Sequence, residues 1–337
     1  MTTISETAIQ TKRYSYTALS QFENCPFSFF NKYVKRRYPD EDTLPLALGN
    51  LLHKARELCS ISLMNGKRPD YSQIENIVLH EGWSGIDKAS ANGDQPQEES
   101  LRSIDILKRQ FFDDWLTVDE KSGLSYDQKL RIFFEHLSDE ETEWKDWQTI
   151  GAEVAFSFEI RPGIIIRGLI DKVQRNPFTG KIRIVDYKSS KAVYDSKKLA
   201  TPLQLYIYHL ACQHLYPDYE IEAYLYDFIL LGQQQAGGTK GWITRAEKKL
   251  NKLLDAIEEC EATGIWAPKP SPLCYWCSYC ETNPNADAIF KTICPYYSYW
   301  TPNDRKNFDV HTPWSPDDVN QTDHIIEERQ AVKAFRW

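Results

Sequence analysis

Three consecutive strand-like segments in the middle of the 337-residue chain most limit what it can fold into. They are Glu153–Ile160, Ile164–Val173 and Lys181–Lys188. Each is rich in β-branched residues, and turn-forming residues separate them, with Arg-Pro-Gly at 161–163 and Asn-Pro-Phe-Thr-Gly at 176–180. An amphipathic helix is predicted next, at about Ala200–Leu215. This order of strands and helix predicts an α/β fold.

Two of these segments end in acidic side chains. The second ends near Asp171, and the third ends in Asp186-Tyr187-Lys188. Because residues i and i+2 of a strand point to the same side, Asp186 and Lys188 share a face. Carboxylates bind Mg²⁺ or Mn²⁺, and an ammonium group can polarise a water or offset charge on a phosphate. The pattern predicts a divalent-metal phosphodiesterase site, although Asp-X-Lys alone also occurs at ordinary exposed strand ends.

Two predicted helices carry polar residues at helical spacing. Leu46–Met64 contains Gly49 and His53, which are four residues apart and therefore share a face. Gly49 would permit close approach of backbone or DNA, and His53 would point a ring nitrogen at the metal or serve as a structural histidine. Gln204 and Tyr208 are one turn apart on the helix that follows the three strands. Both helices therefore present polar groups that can complete a site.

Cysteines form the second chemical signature. Cys274, Cys277 and Cys280 follow a Cys-X-X-Cys-X-X-Cys pattern in a loop rich in proline and aromatic residues, and Cys294 follows before Pro-Tyr. Four thiolates bind one Zn²⁺ or one 4Fe–4S cluster, and both alternatives are open from this spacing. Cys25, before a proline near the N-terminus, is by itself either a ligand or a small buried side chain.

Taken in chain order, these motifs resemble the RecB-type iron–sulfur branch of the PD-(D/E)XK nucleases. The resemblance rests on Phe22-X-X-Cys25-Pro26, Gly49-X-X-X-His53, Gly168-Leu169-Ile170-Asp171, Asp186-Tyr187-Lys188, Gln204-X-X-X-Tyr208 and the C-terminal cysteines. It covers roughly Tyr14–His53 and Gly151–Cys294. It implies a restriction-endonuclease-like αβββαβ core with a mixed sheet, a helical insertion, and a C-terminal region bound by a cysteine cluster.

The resemblance also implies roles for these side chains. The ligands of one or two Mg²⁺ or Mn²⁺ ions would be His53, Asp171, Asp186 and the main-chain carbonyl of Tyr187. Lys188 would position the attacking water beside the catalytic Asp171 and Asp186, and Gln204 and Tyr208 would contact substrate. A 4Fe–4S cluster would have the ligands Cys25, Cys274, Cys277 and Cys294, with Cys280 as the alternative to Cys294 and Zn²⁺ as the alternative cofactor.

The function implied is a metal-dependent deoxyribonuclease, an exonuclease acting in DNA recombination, DNA repair or phage DNA processing. Its partners would be single-stranded DNA or duplex ends and a separate helicase or recombination or annealing protein, because the sequence has no phosphate-binding loop of a helicase motor. The alternative is a non-catalytic DNA-end-binding or scaffold protein that keeps the fold and the cluster.

Charge and hydropathy limit the kind of DNA-binding surface and the cellular location that we expect. The net charge of −8 argues against a generally basic nucleic-acid-binding surface, so any DNA contacts would have to be local. No apolar segment reaches transmembrane length, and residues 1–16 have no apolar signal-peptide core. We therefore expect a cytoplasmic protein, in the host cytoplasm if it is viral.

The remaining segments predict four regions of one composite domain, 1–64, 65–150, 151–265 and 266–337. Further helices are expected at Tyr14–Phe22 with Ser15 or Thr17 as cap, at Leu101–Leu116, at Tyr126–Leu137 and at Thr244–Thr263. A loop is expected at Asn92–Glu99 and a fourth strand at Glu220–Leu231. Glu153 is interpreted as an exposed charge at a strand end rather than as a further acidic group near the metal.

Overall fold

The structure is a computed structural model. It describes residues 11–39, 44–80, 112–118, 123–138, 143–190 and 192–280, with 283, 286, 288–291, 293 and 294. Three predicted features therefore lie outside the described residues: the loop at Asn92–Glu99, most of the helix at Leu101–Leu116, and the tail at 296–337.

The described helices are α1 (Tyr16–Asn24), α2 (Pro26–Phe29), a π-helical turn (Phe30–Val34), α3 (Leu44–Met64), α4 (Tyr71–His80), α5 (Phe112–Leu116), α6 (Tyr126–Glu135), α7 (Ser196–Ala200), α8 (Leu203–Leu215), α9 (Trp242–Thr263) and a 3₁₀ turn (Pro272–Trp276). The described strands are β1 (Lys12–Tyr14), β2 (Gln148–Arg161), β3 (Ile164–Arg175), β4 (Ile182–Lys188), β5 (Ile221–Phe228) and β6 (Gln233–Ala236).

Most of these elements match the sequence prediction to within a few residues at their ends. The helix predicted at about Ala200–Leu215 is instead two helices, because Pro202 lacks the N–H that a continuous helix needs. β1 and β6 have no counterpart in the prediction, since both are short and polar and give no strand periodicity.

The six described strands form one mixed sheet with the order β1-β3-β4-β5-β6, and β2 pairs with β3. β2 and β3 pair antiparallel along nearly their whole length, and shorter antiparallel stretches join β3 to β4 and β5 to β6. β4 and β5 are parallel, and α7 and α8 lie between them in the chain as the crossover that a parallel pair requires. This arrangement confirms the predicted mixed-sheet α/β core.

β4 is the central strand and is buried along almost its whole length. Val185 and Tyr187 pack into the apolar cluster formed with the inner side of α3, which includes Leu51 and Ala55. Alternation along the strand directs Asp186 to the opposite face. Asp186 and Lys188 therefore share one face of β4, as the sequence predicts, and Tyr187 lies on the other face.

The described residues group into two compact units, the first with 11–13 and 44–247 and the second with 14–39 and 248–294. The division into four regions stays a prediction. In the second unit, Trp266 stacks on Phe29 and Phe30 with ring centroids 5.8 and 5.4 Å apart, and Ser15 caps α1 by accepting a hydrogen bond from the Ala18 N–H. Among the described helices, none has the length and apolar character to span a bilayer.

A polar network outside the predicted site ties the segment before β2 to the sheet. The Glu143 carboxylate lies 3.4 Å from Lys172 Nζ and 3.1 Å from Arg183 Nη2, and it accepts hydrogen bonds from Gln174 and Gln234. Burial alone would raise the pKa of Glu143, but the two cations outweigh it and lower the pKa to about 2. The Lys172 side chain is almost fully buried, so Glu143 neutralises a charge that water cannot reach.

Glu143→Gln should therefore destabilise the protein. The depressed pKa means that the Glu143 charge stabilises the fold above its unfolded-state pKa, and that this contribution is lost as the pH falls towards about 2. At neutral pH the substitution leaves Lys172 buried without its carboxylate, and we expect a loss of roughly 2–4 kcal/mol in the free energy of unfolding by urea denaturation.

The matched control is Glu220→Gln. Glu220 also pairs with a lysine, Lys181, at 2.8 Å, but both side chains are exposed. We expect a change below about 1 kcal/mol. Equal losses in the two variants would contradict the buried-pair interpretation.

Candidate active site

Side chains from α3 and three neighbouring strands converge beside the sheet. His53 comes from α3, Glu153 from β2 and Asp171 from β3, and each offers one ligand atom within 4.8 Å of the other two. His53 Nδ1 lies 4.0 Å from Glu153 Oε1 and 3.8 Å from Asp171 Oδ1. One imidazole and two carboxylates at this spacing form a donor set that suits a divalent cation.

Asp186 lies next to this group and is completely buried. Its carboxylate meets the Lys188 ammonium at 2.5 Å, and otherwise neither oxygen has a hydrogen-bond partner among the described residues. Burial raises the pKa of Asp186 to about 6, and the nearby Asp171 adds to the rise. A buried carboxylate with so few donors is costly in the absence of a cation, so the residues present fit a divalent metal ion.

Asp171 is fixed by the strand beside it. The Tyr187 N–H donates a hydrogen bond of 2.7 Å to Asp171 Oδ2, which leaves Oδ1 directed towards His53. Burial raises the pKa of Asp171 to about 6, against the lowering effect of the Tyr187 N–H and Lys188. The same peptide segment therefore orients two carboxylates, because Tyr187 follows Asp186 directly.

His53 faces the site from α3. Its ring meets the Tyr187 ring edge-on, with centroids 5.6 Å apart, and hydrogen-bonds to the Tyr187 main chain. Burial lowers the pKa of His53, so the imidazole is neutral near neutral pH and can act as a ligand. One turn earlier, a Cβ on Gly49 would lie 3.2 Å from the Ser189 hydroxyl, so the glycine leaves room for the segment that follows β4.

Lys188 is held by a chain of hydrogen bonds. Its ammonium donates to Gln204 Oε1 at 2.8 Å, and Gln204 Nε2 donates to the Tyr208 hydroxyl at 3.0 Å. Burial alone would lower the pKa of Lys188, but Asp186 outweighs it and raises the pKa, so the side chain is an ammonium at neutral pH. Burial also raises the pKa of Tyr208 well above its usual range, which keeps its hydroxyl neutral.

The interpretation of Glu153 as an exposed strand-end charge is wrong. Antiparallel pairing of Ala152 with Lys172 and of Val154 with Ile170 places Glu153 opposite Asp171. Burial and the charge of Asp171 raise the pKa of Glu153 to about 7. The signal was present in the sequence, because a hairpin centred on the Arg-Pro-Gly turn at 161–163 pairs these two positions.

The backbone at Glu153 is strained. Its φ of +46° lies in the left-handed region, which costs an ordinary residue on the order of 1 kcal/mol or more. Glu153 lies close to a register shift between Thr149 and Gly151 on the same strand. Strain of this kind inside a long strand marks a position where the direction of the side chain matters.

The five cysteines named from the sequence lie together in the second unit. Cys25, Cys274 and Cys277 pack against an apolar cluster that contains Cys280 and Cys294. The Lys269 N–H points at Cys25 Sγ and the Ser271 N–H at Cys274 Sγ, each at 3.4 Å. None of the eight cysteines, all within the described residues, forms a disulfide.

The thiols are electrostatically unequal. A hydrogen bond from Cys280 lowers the pKa of Cys274 to about 6 and also lowers that of Cys277, while the pKa of Cys280 is raised. Burial raises the pKa of Cys25 to about 11, and its charge interacts with those of Cys277 and Cys294. Cys280 therefore lies among three other thiols, and Cys25 lies beside two of them.

Mn²⁺ should raise the melting temperature, and more at neutral pH than at about pH 5. Three carboxyl groups have pKa values raised to about 6 or 7, so ionising them costs folding free energy as the pH rises through that range. A bound cation removes this cost and stabilises the native state by mass action. We expect a rise of about 3–6 °C by differential scanning fluorimetry near neutral pH, and a smaller rise in acid, where protons compete with the metal.

In Glu153→Gln, Mn²⁺ should raise the melting temperature less than it does in the wild type. The control is Glu159→Gln, which replaces an exposed glutamate on the same strand and should show the full rise. An increment that is equal in all three proteins would place the metal elsewhere.

The comparisons with known proteins agree with this geometry. A search of curated proteins finds no match. A family model of the PD-(D/E)XK nuclease superfamily matches residues 13–284, which is most of the chain and includes every residue of the site. The match confirms the predicted superfamily, and the assignment to its RecB-like iron–sulfur branch stays a prediction. The chain belongs to the PD-(D/E)XK nuclease superfamily.

Proposed function

We propose that this protein is a Mg²⁺- or Mn²⁺-dependent DNA exonuclease of the RecB-like iron–sulfur type. The observation that carries the proposal is the Asp186 carboxylate, completely buried on the central strand with Lys188 as its one close donor in the described chain. A buried carboxylate with so few donors costs folding free energy, and such groups cluster at functional sites. Asp186 also lies beside three side chains that can bind a metal ion, His53, Glu153 and Asp171.

The metal ligands would be His53, Asp171, Asp186 and the Tyr187 carbonyl, and the position of Glu153 adds it to this set. When bound, the ion would polarise a phosphate oxygen and lower the pKa of the attacking water. The protein itself orients the ligands. Tyr187 does so through the Asp171 hydrogen bond, and the neutral His53 ring offers a lone pair without the cost of deprotonation.

Lys188 would hold the attacking water in line with the scissile bond. Its ammonium is fixed between Asp186 and Gln204, so it is positioned before substrate binds. The water oxygen would attack phosphorus and give up a proton to solvent, the bond to the leaving oxygen would break and that oxygen would take up a proton from solvent, and the positive charge of Lys188 would stabilise the negative charge that builds up on the phosphate. Tyr208, a neutral hydroxyl beneath Gln204, keeps this amide in its orientation.

Exonuclease action rests on the resemblance of the motifs to the RecB-like enzymes. A DNA substrate would place the protein in the cytoplasm, of the host if it is viral, in DNA recombination, DNA repair or phage DNA processing. Unwinding, where it is needed, would come from a separate helicase, and a recombination or annealing protein would take up the product.

Asp186→Asn and Lys188→Met should each reduce cleavage of linear DNA by at least about a hundredfold, because one removes a ligand and the other the water-positioning cation. Wild-type protein with Mn²⁺ should degrade linear single-stranded or duplex DNA and spare a covalently closed circle.

Lys181→Met, an exposed lysine just before the same strand, is the control and should cleave normally. Rapid nicking of the closed circle would overturn the exonuclease assignment. Wild-type protein that binds DNA but does not cleave it would favour the non-catalytic DNA-end-binding protein instead.

We also propose that Cys25, Cys274, Cys277 and Cys294 hold a 4Fe–4S cluster. Main-chain N–H groups directed at Cys25 and Cys274 resemble the donors that stabilise cluster thiolates. Four thiolates around one zinc, at about 2.3 Å each, would bring their sulfurs within about 4 Å of one another. No three cysteine sulfurs of the described chain lie within 4.8 Å of one another, which supports the larger cluster.

The choice of Cys294 over Cys280 rests on the resemblance, because Cys294 precedes Pro-Tyr as the last ligand of the iron–sulfur branch does. Cys280 lies within hydrogen-bonding reach of Cys274, Cys277 and Cys294 and is the alternative ligand. The cluster would join Cys25 to residues about 250 positions later in the chain, and closing so long a loop removes much conformational entropy from the unfolded state.

Cys25→Ser and Cys294→Ser should lose iron and visible absorbance, whereas Cys280→Ser should keep both. The measurement is iron per chain after anaerobic purification, with Cys59→Ser, a buried cysteine of the other unit, as control. Iron lost in Cys280→Ser but kept in Cys294→Ser would exchange the two ligands. Full metal content in Cys25→Ser, with zinc in place of iron, would refute the cluster.

A further inference from the structure

A second lysine lies close to Lys188 and has no place in the mechanism above. Lys198 is on α7, and its ammonium lies 3.5 Å from the centre of the Tyr194 ring. This distance is typical of a strong cation–π contact. The ring covers one side of the ammonium, and Lys198 is otherwise exposed to solvent.

Tyr194 is itself fixed to the sheet. Gln235 of β6 accepts a hydrogen bond from the Tyr194 N–H at 3.0 Å and donates one to the Tyr194 carbonyl at 2.8 Å. The ring packs edge-on against Tyr226 and Phe228 of β5, with centroids 4.8 and 5.1 Å away. The position of Lys198 is therefore set by a ring that is held on both its main-chain and its side-chain atoms.

The same aromatic group connects Lys198 to the active site. Lys188 Nζ lies 5.8 Å from the centre of the Tyr226 ring, so each ammonium lies over one ring of the same packed tyrosine pair. Burial lowers the pKa of Lys198 and the charge of Lys188 lowers it further, which agrees with their proximity. Two like charges held close together are favourable when an anion comes between or beside them.

Lys198 also differs from other lysines of this acidic chain. Lys54, Lys181 and Lys249 each have a carboxylate at 2.7–2.8 Å. In the described part of the chain Lys198 forms no ion pair within 4.0 Å, and Asp195 and Asp186 act on its ammonium from farther away. With a net charge of −8, the protein must attract DNA with local cations, and a lysine that an aromatic ring positions and no carboxylate contacts directly is suited to that task.

We propose that Lys198 binds a DNA backbone phosphate next to the scissile one, with Tyr194 as the residue that positions its ammonium. The proposal rests on the nuclease function and deepens it. Lys188 is committed to Asp186 and Gln204, whereas Lys198 supplies the charge that places the neighbouring nucleotide. Contacts of this kind fix the register of a substrate without reading its sequence.

The test compares Lys198→Met with Lys197→Met, which removes the adjacent exposed lysine of the same helix. Binding of a fluorescent single-stranded DNA is measured with Ca²⁺ in place of Mn²⁺ over a range of salt concentrations. Lys198→Met should weaken binding about tenfold and reduce the slope of log K against log salt by about 0.7, whereas Lys197→Met should change affinity less than about twofold.

Kinetics and two conservative variants separate binding from structure. Cleavage by Lys198→Met should show a raised KM with a kcat close to that of the wild type, and Lys198→Arg should restore KM. Tyr194→Phe, which keeps the ring, should bind DNA as tightly as the wild type does. Tyr194→Leu should weaken DNA binding nearly as much as Lys198→Met does.

Equal behaviour of Lys198→Met and Lys197→Met, in a wild-type protein that cleaves DNA, would overturn the assignment of Lys198 alone. A kcat that falls in Lys198→Met without a change in KM would also overturn it. Absence of cleavage by the wild type would instead count against the nuclease function.

Discussion

A buried carboxylate on the central strand is the constraint on which this structure depends. Asp186 has no access to water and only the Lys188 ammonium as a close partner in the described chain. The cost of keeping it there is offset by neighbours that respond to its charge. Lys188 is held as an ammonium, and Gln204 and Tyr208 hold Lys188. The site is thus a set of side chains that stabilise one another around a buried negative charge, and such a charge suits a divalent cation.

The strand that buries Asp186 also separates two kinds of packing. Val185 and Tyr187 join the apolar cluster under α3, while Asp186 and Lys188 face α8. Period-two alternation makes this separation possible, because one strand can be a core element on one face and a reactive element on the other. The Tyr187 peptide connects the two faces, since its N–H holds Asp171 and its main chain meets the His53 ring.

The sequence was sufficient to predict which residues share one side of a strand or helix. It was insufficient to predict which side chains from different strands meet. That Asp186 and Lys188 share one side of a strand, and Gln204 and Tyr208 one side of a helix, was predictable from the strand and helix periods, and their roles stay predictions. Glu153 was misinterpreted although the turn at 161–163 indicates its pairing with β3, and its left-handed φ is a departure from strand geometry that periodicity does not predict. The Glu143 network was not predicted at all. Its partners Lys172, Gln174, Arg183 and Gln234 come from three strands and read individually as ordinary surface residues.

What the sequence by itself determined is the order of elements, the α/β class and which residues of a motif share one side of a strand or helix, because these follow from residue type and spacing along one segment. What only the tertiary structure decided is which charges meet. Lys197 and Lys198 are adjacent and chemically identical, yet only Lys198 stacks on Tyr194 and lies near Lys188. That difference depends on Tyr226 of β5 and Gln235 of β6, which follow Lys198 by about thirty residues or more in the sequence. Electrostatic interactions depend on distance in space, and spacing along the chain does not encode that distance between segments that are remote in sequence.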